Sequence, residues 1–123
     1  MFFRKPTPPT YGHVINRVAV IIRVKQPYVD WSNRVSGDKE TLDDFTTDAV
    51  TYLFAVDTFR EMAIKKAEAE YVFIFEHCLS LISENPDNWP KQRTLDMFRQ
   101  WFELEMSDMV VDLENDNGII NAY

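Results

Sequence analysis

A chain of 123 residues, 46% hydrophobic and 14% aromatic, can pack one core but hardly two, and it is too apolar for a disordered solvating segment. Its 13 basic and 20 acidic residues leave a formal charge of -7, which disfavours nucleic-acid binding, since phosphate neutralisation needs clustered Lys and Arg. One cysteine excludes an internal disulfide and a cysteine-rich zinc site and points to a reducing, cytoplasmic compartment, while three scattered glycines exclude the glycine-rich phosphate loops.

Residues 1–13, with Pro6, Pro8 and Pro9, read as an extended arm without the apolar run of a signal peptide. No stretch approaches the roughly 18 apolar residues of a membrane span, so a soluble, unprocessed protein is expected. Residues 14–123 read as a single domain. Val14–Val24 is rich in β-branched residues: Val18, Val20, Ile22 and Val24 face one way, Arg17, Ala19, Ile21 and Arg23 the other. That pattern predicts a central strand, because its second face is also partly apolar. Gln26-Pro27 opens a helix with Tyr28, Trp31 and Val35 on one face, closed at Ser36-Gly37. Thr41–Phe45 reads as a further helical turn.

Ala49–Val56 is a second strand, with Val50, Tyr52, Phe54 and Val56 on one face. Thr58 and Glu61 have capping-box spacing, and Phe59, Ala63, Ala67, Tyr71, Ile74, Cys78 and Leu81 then recur at helical steps. One long helix to about Ile82 is expected, although Tyr71–Phe75 has strand propensity. Ser83–Pro90 is a turn. Thr94 caps a third helix, whose stripe is Leu95, Phe98, Trp101, Phe102 and Leu104–Met106. Met109–Leu113 is then the last strand, and Asn117-Gly118 has the chemistry of a terminal hairpin. The expected fold is α+β: a two-layer domain of β-α-β-α-α-β order, with a three-stranded sheet packed by helices.

Charge is uneven along the chain. Residues 1–40 hold seven basic and three acidic groups, a balance of +4, whereas residues 41–123 stand at -11. A folded surface mixes such signs; the sharper reading is an acidic face that docks a basic partner or mimics nucleic acid.

Catalytic groups are scarce. His13, His77 and Cys78 are the only imidazoles and thiol, so no zinc spacing exists. Asp112–Gly118 resembles the start of a calcium loop, but the glycine comes one residue late and the twelfth position is Tyr123. No metal ligands and no cofactor are therefore assigned. On a helix His77 and Cys78 project about 100° apart and make a poor dyad; Cys78 falls on the apolar stripe as a small buried hydrophobe. Asp108 and Asp112 would share a face of the last strand, as Arg17 and Arg23 do of the first. Cross-strand ion pairs are the simple reading, a carboxylate-held metal for hydrolysis the rival. Trp31 and Trp101 read as core. Trp89, in the proline turn, is the best candidate for recognition, with Arg93, Lys25 and Gln26 beside it as contact residues.

A family resemblance rests on Lys25-Gln26-Pro27-Tyr28-Val29-Asp30-Trp31, Ile74-Phe75-Glu76, Trp89-Pro90-Lys91-Gln92-Arg93-Thr94, Trp101-Phe102-Glu103 and Met109–Leu113. In these motifs the chain resembles a family of small bacterial proteins of unknown function. The sequence departs from that pattern at Val24, at His77-Cys78 and at Ser107-Asp108, so the resemblance assigns no catalytic role there. It implies a bacterial, cytoplasmic, single-domain protein and no particular reaction. The leading expectation is a non-enzymatic acidic domain that binds and regulates a protein partner, in the manner of an inhibitor, immunity protein or antitoxin. The alternatives are a carboxylate-dependent, metal-assisted hydrolase and a homo-oligomeric structural protein.

Overall fold

The β-branched run after Asn16 forms the centre of the sheet. The computed structural model describes residues 13–55 and 60–114. Strand β1 is His13–Val14 and β2 is Arg17–Val24; helix α1, Gln26–Ser36, leads through a 3-10 turn at Leu42–Phe45 to β3, Val50–Ala55. Helices α2 (Arg60–Ala69), α3 (Tyr71–Ser80) and α4 (Leu95–Trp101) follow, then β4 (Phe102–Ser107) and β5 (Val111–Asp112). The main sheet is antiparallel, in the order β3-β2-β4. The fold is the expected α+β domain, with β2 central.

Alternation decides which face of the sheet the helices cover. Val18, Val20 and Ile22 are buried, whereas Arg17 and Arg23 on the opposite face are exposed. Val20 lies between Tyr52 and Met106, and Ile22 between Val50 and Leu104, which carries the inner face across three strands. On the outer face Arg23 pairs with Glu105, one step diagonally across from its direct neighbour Glu103. That ion pair takes the place expected for Asp108 and Asp112, because a different segment forms the neighbouring strand.

Two expected helices are shorter than their apolar stripes. The long helix is interrupted at Glu70, where φ -99° and ψ 22° leave the helical region. Ala63 and Ala67 are small enough to bring α2 down onto β2 and β4, while Ile74, Phe75, Cys78 and Leu79 are buried on α3, which packs on α4. The break lets one stripe serve two neighbours. Tyr71–Phe75 is helical, as the surrounding stripe implied. Leu81, expected on that stripe, lies beyond α3 and is 58% exposed.

The third helix stops at Trp101 rather than running on to Met106. Phe102-Glu103-Leu104-Glu105-Met106 alternates strictly, and it forms β4, the third strand of the main sheet. Thr94 does cap α4: its hydroxyl accepts from the Met97 amide at 3.1 Å. The strand expected at Met109–Leu113 is reduced to β5, which pairs only with β1. His13, assigned above to the arm, is a β1 residue opposite Asp112. From Val14 to Ala19 there are five steps, and from Ser107 to Val111 only four. One extra residue near Asn16 therefore bulges out between the two ladders. The Thr58 cap and the hairpin at Asn117-Gly118 lie outside the described residues.

The core is strongly aromatic. Tyr28 sits with its ring centroid 5.5 Å from Trp31, 6.0 Å from Phe45 and 5.6 Å from Phe102. Phe75 meets Trp101 at a tilt and Phe102 edge-on, both with ring centroids 5.3 Å away. Gly37 closes α1 in the left-handed region, at φ 81°, where its amide donates to the Asn33 carbonyl.

Candidate functional site

Four residues were singled out in the sequence, and they fall into two pairs. Trp89 and Arg93 meet: the guanidinium carbon lies 5.7 Å from the Trp89 ring centroid. Trp89 Nε1 donates to the Ser83 carbonyl at 2.8 Å, and Arg93 donates to Glu76 Oε2 at 2.8 Å and to the Pro90 carbonyl at 2.7 Å. Both side chains are half-buried. Their polar groups thus brace the 83–93 turn against α3. Lys25 and Gln26, at the start of α1, are exposed; Lys25 Nζ donates to the Arg99 carbonyl and Gln26 donates to Asp30. Arg93 precedes α4 and Arg99 is near its end, so the two pairs stand at opposite ends of that helix, about 10 Å of helix apart. They do not form one patch.

A different place in the fold has the shape of a site. The end of β2, the 45–50 segment and the end of α3 enclose a cleft of about 390 Å³. Its apolar walls include Ile22, Val24, Phe45, Val50 and Ile82. Tyr28, Cys78, Thr47 and Asp48 supply its polar groups. The capping box between Thr41 and Asp44 turns the chain at one side and seats Phe45 in the core. The Tyr28 hydroxyl donates to the Cys78 carbonyl at 2.6 Å. Burial first, then the nearby Cys78 and Asp48, push the Tyr28 hydroxyl far above its ordinary pKa, so it stays protonated. Burial likewise pushes the Cys78 thiol up to about 11. A thiol so placed is no nucleophile near neutral pH.

Behind this wall Tyr52 and His77 share a hydrogen bond of 2.6 Å between the hydroxyl and Nδ1. Phe73 stacks beside the His77 ring at 6.0 Å. Burial, followed by the neighbouring Cys78, raises Tyr52 as well. His77 is exposed and Cys78 buried, as their divergence on a helix requires. No three of His, Cys, Asp and Glu converge as a metal-binding group among the described residues. Nor is any helix among them long and apolar enough to cross a membrane.

In the sequence Tyr28 falls only on a helix face with Trp31 and Val35, and Asp48 carries no signal of its own. The cleft joins positions about fifty residues apart, and no local spacing signals that. The one hint was Thr47-Asp48, polar residues immediately before an apolar strand.

The segment beside the cleft is acidic. Asp38, Glu40, Asp43, Asp44 and Asp48 are all exposed, with Lys39 the one basic residue among them. Compared with protein-family models, with curated proteins and with solved structures, the chain has no match in any of the three.

Proposed function

We propose that this chain is a non-enzymatic, cytoplasmic binding domain that regulates a basic protein partner, an inhibitor-like role. One observation carries the reading: the acidic groups between Asp38 and Asp48 are exposed together on one connecting segment. Such a surface attracts a basic partner and speeds its docking. The likeness to small bacterial proteins noted above is compatible with this role and names no reaction. Lys25 and Gln26 remain available at the N-terminus of α1 for further contacts. The test is capture of partners on the immobilised full chain, compared with a D38K/E40K/D43K variant. A captured partner should be released by salt and lost with the variant; no partner, or one bound equally by the variant, overturns the reading. A second reading, self-association, is favoured by Leu53, 46% exposed on the outer face of edge strand β3. It predicts a mass that rises with concentration in light scattering.

A further inference from the structure

We propose that the cleft between β2, the 45–50 segment and α3 is a binding site for a small amphiphilic amine, with an apolar body and one cationic head. This goes beyond the protein-binding role and does not depend on it. The size fits: about 390 Å³ lies at the lower end of the range of small-molecule pockets. The walls fit too, since Ile22, Val24, Phe45, Val50 and Ile82 offer an apolar lining that water solvates poorly.

The head group follows from charge. Asp48 is the one ionised side chain lining the cleft, and it has no ion-pair partner among the described residues. Asp48 and Tyr28 line the same cleft, so the carboxylate and the hydroxyl are both presented to one occupant. Tyr28 spends its proton on the Cys78 carbonyl and keeps an oxygen lone pair to accept a bond. A cleft with one carboxylate and one accepting hydroxyl favours a donor-bearing cation and repels a carboxylate. A second acid, Asp44, lies on the neighbouring turn, where its capping bonds to Thr41 hold it.

Phenethylamine, phenethyl alcohol and phenylpropionate share an apolar body and differ in head group, so together they test the assignment. Binding to the full chain is read by calorimetry. A rise in the thermal unfolding midpoint with each ligand gives a second reading, because a ligand that binds the folded chain stabilises it. The expected order is amine, then alcohol, then carboxylate. One partly exposed ion pair separates amine from alcohol by roughly two- to five-fold. Asp48→Asn should abolish that gap while leaving the alcohol unchanged. Leu81→Trp, at an exposed position on the rim, should block all three ligands and leave the fold intact; Ala49→Phe should do the same from the other side. Saturable amine binding that raises the unfolding midpoint and is lost in Leu81→Trp supports the site. Absence of saturable binding, an amine no tighter than the alcohol, or a gap that survives Asp48→Asn overturns it. None of these outcomes depends on whether a protein partner is captured.

Discussion

Arg93 shows how a surface residue can be spent on structure. It stacks on Trp89, pairs with Glu76 on α3 and closes the turn through the Pro90 carbonyl, yet its Nε is buried without a partner. A lysine can replace the charge but not this planar geometry. Arg93→Lys should therefore lower stability by about 1–2 kcal/mol, read as a shift in the urea midpoint. A midpoint that does not move would return Arg93 to the list of free contact residues. Cys78 gives a prediction in pH. Its pKa rises from the ordinary 9.0 to about 11 in the fold, so the unfolded chain loses the proton first as pH rises. The associated stability, about 3 kcal/mol, is intact below pH 9 and lost between there and about pH 11. Tyr28 and Tyr52 shift in the same direction and add to the alkaline loss. Cys78→Ala should flatten the stability profile between those two pH values. At this scale the sequence was informative about Trp31 and Trp101, both buried as their stripes implied. It could not show that Trp89 Nε1 is bonded six residues back to Ser83, since turn geometry is not periodic.

Elements end for local reasons, and two ends can be tested. Gly37 has a positive φ, and a Cβ placed there would meet nothing within 4 Å. Gly37→Ala should thus cost about 1 kcal/mol of backbone strain alone, and Gly37→Asn less, by thermal unfolding. Thr94→Ala removes the hydroxyl that caps α4 and should cost about 1 kcal/mol. β2, α1 and β3 were legible because their periods are clean. The α4–β4 junction was not, since Phe98, Trp101 and Phe102 fit a helical stripe while Phe102, Leu104 and Met106 fit a strand. Phe102 belongs to both patterns, and Glu103 and Glu105 decide for the strand by facing out. The break at Glu70 was hidden for a related reason: α2 and α3 bury one continuous stripe against different neighbours. Pairing partners are a further step removed, so the sequence placed Arg23 opposite the wrong carboxylates.

The whole molecule has two unlike surfaces. The outer sheet face carries the Arg23–Glu105 pair and balances its charges locally, whereas the 38–48 segment is nearly all acidic. Any partner drawn to that segment should bind more weakly as salt rises, because exposed charges are screened beyond about 8 Å at physiological ionic strength. A partner whose affinity ignores salt would instead point to the apolar outer face around Leu53. Arg99 binds Glu68 through two nitrogens, tying α4 to α2, and its guanidinium holds that carboxyl below the usual carboxylate range. That tie is lost only as pH falls through the lowered value, so acid should loosen the helical layer late.

The aromatic core has an optical consequence. Trp31 and Trp101 lie with ring centroids 6.2 Å apart at an interplanar angle of 46°, close and skewed enough for their electronic transitions to couple. Such a pair should give an intense, split circular-dichroism band superposed on the peptide signal, and Trp101→Phe should remove the splitting while leaving the helix bands at shorter wavelength unchanged. Since α1 contributes one indole and α4 the other, the signal reports their docking and vanishes once specific packing is lost, even where helices persist. The protein therefore contains its own unlabelled gauge of whether these two helices are packed together.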